Sequence, residues 1–527
     1  MSQPDIIFIV LDTHRADRLG CYGYQKPISP NIDQFAAQSV LFEQAVSPAQ
    51  WTIPSHASMF TGRYPTAHQV TQSSHALSPE LPHVAEVLQT AGYETIGFCN
   101  NPLVGILNNG FKRGFETFYN YGGATPNLPK SANDLPWPLS SLSDKANEFL
   151  QRVSTPIQNF FGRSDLAFQI SLNAWLTPLW SRLANFKGQN ARSVQDVVRY
   201  LEMREQVSDG RPLFLFLNLM ETHLPFLPPG DFIDQVAPYL RPDKEARDIM
   251  RRWNREAYRW AAPLSEPLPE LEARVLSDLY DAEVAYQDDY LGPLFDCLNG
   301  RSNHSDTLTI VVSDHGDSMG EHNYFGHGFV AYEELVHVPL MMQWPQRLAN
   351  PQRVKTPVST RRVFHTILDS IGRLPHAAER VNPAEVHGLT LLRTIDGADP
   401  ENGTAFSEVY PPLNFVKAIE GRQPQLIEPF RCNSLRRAVV REDEAGEIHK
   451  LIWVDDQPDE LFNLERDRLE LENLVAKRPL LTKTLDQKLT DMAQTIEQQR
   501  QNQSAATIDL EADEQLLQRL RGLGYIE

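Results

Sequence analysis

Trp51–Arg63 reads WTIPSHASMFTGR and places a hydroxyl residue just before a segment with the start and stop signals of a short helix. Proline is favoured in the first turn of a helix and glycine just beyond its end, so Pro54 to Thr61 is predicted to be helical. The unsatisfied N–H groups at a helix start favour anions, so a phosphate or sulfate is expected to be held against Thr52. The competing interpretation is that Thr52 only caps the helix, as many threonines do.

Two apolar segments elsewhere in the chain end in residue types that bind metal ions. Residues 6–11 form an apolar run followed by Asp12, and residues 307–313 lead into Asp314 and His315. Such runs are typical of buried parallel strands, and open α/β sheets bind ligands at the carboxyl ends of their strands. Two carboxylates, an imidazole and a threonine hydroxyl therefore predict an oxygen-rich site for a divalent cation. Taken singly, each Asp would be interpreted as a cap or turn residue.

The composition narrows the functional class. The chain has 527 residues and a formal net charge of −19, whereas nucleic acid and acidic membrane surfaces attract basic proteins. Neither is expected as a partner. The four cysteines are widely spaced and form no CxxC pair, which predicts neither a disulfide framework nor a zinc ribbon. The sequence contains no recognisable signal segment and no apolar run of membrane-spanning length, so the cytoplasm is the expected location.

Strand and helix patterns alternate through most of the chain, which predicts an α/β fold with a large, mostly parallel sheet between helices. A catalytic domain is predicted over residues 1–375. A C-terminal α+β subdomain with a small antiparallel sheet, a helix and a helical tail is predicted over residues 376–527. Residues from about 119 to 190 are poor in strand signals and rich in aromatic residues, so they are predicted to be a helical insert. The sequence leaves open whether this insert covers the site.

Short motifs are spread along the whole chain and define its family resemblance. In chain order they are Asp12 with Arg15–Asp17, Ser29–Asp33, Thr52–Arg63, Gly92–Thr95, Glu221–Phe226, Ser313–Gly316, Glu460–Glu465 and Leu523–Ile526. In this order the chain resembles the sulfatase branch of the alkaline phosphatase superfamily. The resemblance implies the fold of that superfamily, a bound divalent cation and a small anionic ester as substrate. It leaves the alcohol group of the ester and the oligomeric state open.

The sequence departs from the sulfatase pattern at the position of the nucleophile. Sulfatases of this kind have Cys or Ser where Thr52 stands, and that residue is oxidised to formylglycine, which cannot be made from Thr by this route. The resemblance therefore predicts a site without formylglycine, in which Thr52 itself attacks, as in phosphodiesterases and phosphoglycerol transferases of the superfamily. Pro54 is retained, whereas His56 replaces an Arg.

Other family positions are also occupied by altered residue types. Thr13 stands where sulfatases usually have another metal-binding Asp, so it is expected to bind a cation only through its backbone or a water. Asn100 lies near the position of a sulfate-binding Lys, and His327 near that of a second. Asn100 and His56 are therefore candidates for substrate binding, although Asn101 is adjacent to Asn100 and the sequence cannot separate the two.

These parts predict a ligand set and a mechanism. The predicted ligands share one edge of the sheet and are Asp12, Thr13, Thr52, Asp314 and His315. One imidazole among oxygen ligands favours a single Mg²⁺, Ca²⁺ or Mn²⁺ over Zn²⁺, which remains possible. The Thr52 oxygen is expected to attack phosphorus or sulfur in line and form an ester that water then cleaves. His223, by its place in the family pattern, or His327 is expected to protonate the leaving alcohol.

Several activities remain open from the sequence. The threonine favours a phosphodiester or phosphonate monoester as substrate, whereas the overall resemblance favours a sulfate ester of the arylsulfatase type. An acceptor alcohol in place of water would make the protein a phosphoglycerol-type transferase. Gly316–Gly320 also matches the G-x-S-x-G motif of serine esterases, which would use Ser318, but the residues that follow do not predict the helix this motif needs. A non-catalytic binding protein that has kept the fold is the remaining alternative.

Overall fold

The computed structural model describes residues 3–122, 187, 189–207, 210–256, 259–375, 380–500 and 506–508. Most of the predicted insert, residues 123–186, lies outside the described residues, as does the motif Leu523–Ile526. Residues 376–379, at the predicted domain boundary, also lie outside them, and that boundary stays a prediction. Within the described ranges, no helix has both the length and the apolar character needed to cross a bilayer.

The first part of the chain, up to Ile395, supplies fourteen of the described strands. They are β1 (Asp5–Leu11), β2 (Val40–Phe42), β3 (Ala45–Val46), β4 (His75–Ala76), β5 (Glu94–Cys99), β6 (Thr117–Asn120) and β7 (Leu213–Leu219). They continue with β8 (Thr307–Ser313), β9 (Ser318–Met319), β10 (Phe325–Gly326), β11 (His337–Val338), β12 (Leu340–Gln343), β13 (Gln352–Val354) and β14 (Val358–Ser359). Eight of these strands form one sheet in the order β13-β2-β12-β8-β1-β7-β5-β6.

The large sheet is mostly parallel, as predicted. The five strands from β8 to β6 are parallel to one another, and β12 is antiparallel to both of its neighbours. Alternate residues of β1 enter two different apolar clusters, because successive side chains of a strand point to opposite faces. Ile6, Phe8 and Val10 belong to one cluster, and Ile7, Ile9 and Leu11 to the other. The sheet is therefore buried on both faces, which explains the uninterrupted apolar run in the sequence.

Helices cover both faces of the sheet. The described α-helices of this part begin with α1 (Pro30–Ala37), α2 (Thr52–Thr61), α3 (Pro65–His68), α4 (Val84–Thr90), α5 (Pro102–Gly105) and α6 (Asn190–Gln206). They continue with α7 (Gly230–Val236), α8 (Lys244–Arg255), α9 (Glu270–Gly300), α10 (Glu333–Val336), α11 (Arg362–Ser370), α12 (Pro383–Leu389) and α13 (Leu391–Ile395). Residues of α2, α4 and α11 pack on one face of the sheet, whereas residues of α1, α6 and α9 pack on the other.

A small antiparallel sheet follows, as predicted for the C-terminal part. It consists of β15 (Thr404–Val409), β16 (Arg436–Glu442), β17 (Ile448–Val454) and β18 (Gln457–Asn463) in sequential order. The helix α14 (Leu413–Arg422) follows β15, and the long helix α15 (Pro479–Arg500) packs on the sheet through Leu485, Leu489 and Ile496. The last described strand, β19 (Ala506–Thr507), pairs with β4 of the first part.

Candidate active site and metal centre

Three predicted metal ligands meet at the carboxyl edge of the large sheet. The strands β1 and β8 pair in parallel with Leu11 opposite Ser313, so the residues that follow, Asp12 and Asp314, come side by side. The Nε2 atom of His315 lies 3.8 Å from Oδ1 of Asp12 and 3.5 Å from Oδ2 of Asp314. The three ligand atoms all lie within 4.8 Å of one another, and their side chains are wholly buried.

Hydrogen bonds engage one oxygen of each carboxylate and leave the other open. Asn101 Nδ2 donates to Oδ2 of Asp12. The backbone N–H groups of Thr13 and His315 donate to Oδ1 of Asp314, at 3.2 and 2.9 Å. Among the described residues, neither Oδ1 of Asp12 nor Oδ2 of Asp314 accepts a hydrogen bond of normal geometry, although His56 Nδ1 and His315 Nε2 lie 3.3 and 3.5 Å from Oδ2 of Asp314. A buried polar atom without a partner is costly, so two such oxygens near His315 Nε2 indicate a position that suits a positive ligand.

The His315 ring is held in the orientation that a metal ligand needs. Its Nδ1–H donates to the carbonyl oxygen of Gly316 at 2.8 Å, which directs the lone pair of Nε2 towards the two carboxylates. Burial lowers the pKa of His315 to about 4, so the neutral, ligating form is the stable one. Gly316 is required for this turn, because a Cβ atom there would lie 2.0 Å from the carbonyl oxygen of Glu334.

The charges of the cluster also fit a cation. Burial, followed by the nearby Asp314 charge, raises the pKa of Asp12 well above its ordinary value. Burial alone would raise the pKa of Asp314 as well, but the interactions with His315 and His56 outweigh it and lower that pKa. Two buried carboxylates with one neutral imidazole make an oxygen-rich donor set. These residues fit a divalent cation such as Mg²⁺, Ca²⁺ or Mn²⁺.

The helix α2 brings Thr52 to this cluster. It begins at Thr52 itself, two residues earlier than predicted, and ends before Gly62, which has a φ of +72°. The Thr52 Oγ1 atom lies 3.3 Å from Nε2 of His315. One turn further on, the hydroxyl of Ser55 donates to the carbonyl oxygen of Asp314 at 2.7 Å and attaches the helix to the ligand loop. The helix start, with its unsatisfied N–H groups, thus lies against the cluster.

Thr13 contacts the cluster through its backbone N–H, and its predicted part in cation binding stays a prediction. Its hydroxyl donates to the carbonyl oxygen of Asp12 at 2.7 Å and lies 3.3 Å from Oγ1 of Thr222, while its N–H donates to Asp314. Its φ of +58° lies in the left-handed region, which costs a β-branched residue about 1–3 kcal/mol. The hydroxyl of Tyr280 donates to the Thr13 carbonyl oxygen at 2.8 Å and helps to hold this conformation.

The two candidate acids lie side by side next to His315. The ring centroids of His223 and His327 are 5.1 Å apart, and those of His327 and His315 are 4.7 Å apart. The Nδ1 atom of His223 donates to the carbonyl oxygen of Leu224 at 2.6 Å. The Nδ1 atom of His327 lies 3.0 Å from Oδ1 of Asp317. Burial, followed by the nearby His327, lowers the pKa of His223 well below its ordinary value.

The two candidate substrate ligands have other contacts. The amide of Asn100 donates to Ser193 Oγ at 2.8 Å and to the carbonyl oxygen of Asn218 at 2.9 Å, on the side of α6. His56 Nδ1 lies 3.0 Å from the carbonyl oxygen of Thr52 and 3.3 Å from Oδ2 of Asp314, and its Nε2 lies 3.3 Å from Nδ2 of Asn218. The structure therefore places His56 beneath the cluster and Asn100 away from it.

Asn101 is the site residue that the sequence did not separate from its neighbour. Its Oδ1 accepts a hydrogen bond from the N–H of Leu103 at 2.8 Å and caps α5, which turns its amide nitrogen towards Asp12. The Asn-Pro pair at a helix start was a usable signal, because Asn is a favoured cap and Pro a favoured first residue. Asp317 and Thr222, which contact His327 and Thr13, carry no comparable signal in the sequence.

Replacing Asn101 is expected to weaken cation binding. Loss of a hydrogen bond that orients a ligand typically lowers metal affinity by about 10- to 100-fold, so Asn101→Ala should raise the cation dissociation constant by that factor. Asn100→Ala is the matched control, because its amide contacts Ser193 and not Asp12. Calorimetric titration of both variants with Mn²⁺ measures the difference. Equal dissociation constants for the two variants would contradict the assigned role of Asn101.

The surroundings of Ser318 do not have the geometry that a serine esterase needs. Ser318 lies in the two-residue strand β9, which pairs with β10, and not on a turn between a strand and a helix. Its hydroxyl donates to Glu334 Oε1 at 3.2 Å. The neighbouring Asp314 and His315 belong to the carboxylate cluster.

Comparison with known proteins identifies the family of the chain. A family model described as Sulfatase matches residues 4–372. The uncharacterized sulfatase YidJ of Escherichia coli is 22% identical over 366 residues, which cover 68% of this chain and 66% of that protein. An arylsulfatase of Clostridium perfringens is 23% identical over 485 residues, 90% of either chain.

The fold is also found among solved structures. The phosphonate monoester hydrolase of Agrobacterium radiobacter superposes with a TM-score of 0.62 at 20% identity, covering 94% of this chain and 96% of that one. The family model matches more than half of the chain. The protein therefore belongs to the sulfatase family and is an ester hydrolase of the alkaline phosphatase superfamily.

Proposed function

We propose that the protein is a cation-dependent hydrolase that cleaves phosphodiesters or phosphonate monoesters through Thr52. The observation that carries this proposal is the position of the Thr52 hydroxyl. It lies 3.3 Å from His315 Nε2, at the start of a buried helix and beside two open carboxylate oxygens. A hydroxyl that only capped the helix would be expected to bond to an N–H group of its first turn, and Thr52 has no such bond among the described contacts.

Asp12, Asp314 and His315 would hold the cation, and Thr13 would support them through its backbone. A cation held there would supply positive charge that favours deprotonation of the Thr52 hydroxyl and offsets the charge of the transferred group. Thr52 Oγ1 releases its proton to water and forms the bond to phosphorus, while the bond from phosphorus to the leaving oxygen breaks. The N–H groups at the start of α2 would stabilise the oxygens of the transferred group.

The proton that the leaving alcohol receives is assigned to one of two histidines. Since Nδ1 of His223 donates to Leu224, a proton passed to the leaving alcohol would come from Nε2. An anionic ester bound beside His223 would raise its pKa again and favour the protonated form. His327, oriented by Asp317, is the second candidate for this transfer. Water then cleaves the Thr52 ester, which returns the hydroxyl and releases the acid product.

Sulfate esters are placed second for a chemical reason. A Thr ester of sulfate offers no aldehyde hydrate whose elimination would release the sulfate, so its turnover should be slow. The relatives named as sulfatases support the alternative, a sulfuric ester hydrolase of the arylsulfatase type. A phosphoglycerol-type transferase would use the same site with an alcohol as acceptor. A cytoplasmic location and the absence of formylglycine stay predictions from the sequence, which leaves the oligomeric state open.

A set of esters that share one leaving group and differ in the acid tests the substrate class. We expect kcat/KM for a nitrophenyl phosphodiester or phosphonate monoester to exceed that for nitrophenyl sulfate, and a chelator to abolish all of these activities. The carboxyl ester of the same phenol is the control, and its chelator-insensitive cleavage would indicate a serine esterase.

A higher kcat/KM for the sulfate would overturn the proposed preference, and inactivity on every ester would favour a binding protein. Nitrophenol released in excess of free acid, with glycerol present, would indicate a transferase.

A further inference from the structure

The segment that carries His223, residues 220–227, is held by side chains of three other elements. The N–H of Met220 donates to Asn190 Oδ1 of α6 at 2.8 Å. The N–H and C=O of Phe226 both bond to the amide of Asn254 in α8, at 3.1 and 2.7 Å. The position of His223 therefore depends on side chains far from it in sequence.

A buried ion pair connects the two ends of this segment. Lys187 Nζ donates to the carbonyl oxygen of Glu221 at 2.7 Å and forms an ion pair with Glu283 of α9. Oε1 of Glu283 also accepts a hydrogen bond from the N–H of Leu227 at 2.6 Å. The pair thus contacts the backbone two residues before His223 and four residues after it. The Lys187 and Glu283 side chains are 9% and 0% exposed.

We propose that Lys187 and Glu283 are positioning residues that hold His223 in place for proton transfer to the leaving alcohol. Neither side chain is among the ligands or candidate acids of the site. Both bond to the backbone of residues 220–227, and the charge of Lys187 also contributes to lowering the pKa of His223. Lys187 supplies a donor to one end of the segment and Glu283 an acceptor to the other. Because each also bonds to the other, movement of one would displace both ends. The role given to His223 rests on the proposed function.

The competing explanation is that the pair only stabilises the fold. Breaking a buried ion pair leaves one charge without compensation, so Lys187→Met alone is expected to lower the melting temperature. The double variant Lys187→Met/Glu283→Gln removes both charges, and its Gln can still accept from the N–H of Leu227. Its melting temperature should return towards that of the parent, while the bond to Glu221 remains absent. The double variant therefore separates positioning from stability.

Leaving-group dependence provides the functional measurement. A displaced acid matters most when the leaving alcohol is a poor one, and general acid catalysis contributes about 10²- to 10⁴-fold. The measurement uses phenyl and nitrophenyl esters of the acid that the unmodified protein prefers. We expect the double variant to lose about 10- to 100-fold in kcat on the phenyl ester, whose leaving group is the poorer one, and much less on the nitrophenyl ester. Lys187→Arg, which keeps the charge and donors, should regain part of this loss. Hydrogen exchange of the peptide containing residues 220–227 should become faster in the double variant.

The control is a matched buried pair at the opposite edge of the sheet. Arg301 Nη2 lies 2.6 Å from Asp5 Oδ2, and these side chains are 3% and 7% exposed. Arg301→Met/Asp5→Asn should leave both the ratio of phenyl to nitrophenyl rates and the exchange of residues 220–227 unchanged. Parent-like values of both quantities in Lys187→Met/Glu283→Gln would overturn the positioning role. If His223→Ala instead loses equally on both esters, the acid role of His223 fails, whereas the exchange result still decides the Lys187–Glu283 role.

Discussion

Thr52→Ala is expected to lower kcat by about 10⁴-fold or more, because removal of a nucleophile leaves only the catalysis supplied by binding and charge. The substitution should have little effect on folding, since alanine is well tolerated within a helix and, among the described residues, the lost hydroxyl bonds to His315 alone. The steady-state rate on a nitrophenyl ester and the melting temperature together measure both effects.

Thr52→Ser is the matched control for this substitution. It keeps the hydroxyl and loses one methyl group, which contributes about 1–3 kcal/mol in a packed site, so activity should remain within about 10- to 200-fold of the parent. Rapid quenching of the parent during turnover should reveal an added mass on the peptide containing Thr52. Near-normal turnover by Thr52→Ala, with no added mass in the parent, would assign the attack to water.

Much of this site follows from strand order and residue type. Parallel strands that end in Asp12 and in Asp314 with His315 must meet at one sheet edge, and the pairing of Leu11 with Ser313 is the register that brings them level. The early start of α2 at Thr52 is a smaller difference, because helix ends are set by local contacts such as the bond from Ser55 to the Asp314 carbonyl oxygen.

Other parts of the site depend on which way a side chain turns at an element end. Asn100 and Asn101 follow β5 directly, and successive residues there face opposite sides, so only one of them can reach Asp12. His56 lies one turn after Thr52 in α2, but its ring turns towards the helix backbone and Asp314. Lys187 and Glu283 are nearly a hundred residues apart, and the sequence contains no pattern that pairs them.

Cation binding is expected to stabilise the protein and to be required for activity. A cation at about 100 times its dissociation constant adds about 2.7 kcal/mol to the free energy of unfolding, so the melting temperature should rise by a few degrees. A chelator should reverse this shift and abolish turnover, and Mg²⁺, Ca²⁺ or Mn²⁺ should restore both better than Zn²⁺. Differential scanning calorimetry and elemental analysis measure the shift and the number of ions. Two ions per chain would contradict the single site.

In the absence of the cation, the substitution Asp12→Asn is expected to raise the melting temperature, although it removes a proposed ligand. In the cation-free parent, ligand oxygens of Asp12 and Asp314 lie within 4.8 Å of each other in a buried site, so the two carboxylates repel. An asparagine can still accept from Asn101 through its oxygen, while its amide can donate to Oδ2 of Asp314 and satisfy that orphaned atom. The cation-free variant should therefore melt at a higher temperature than the cation-free parent, yet gain nothing from added Mg²⁺ and have no measurable turnover. A variant that still gains stability from Mg²⁺ would show that Asp12 is not a ligand of the site. A variant less stable than the cation-free parent would contradict the repulsion between the two carboxylates.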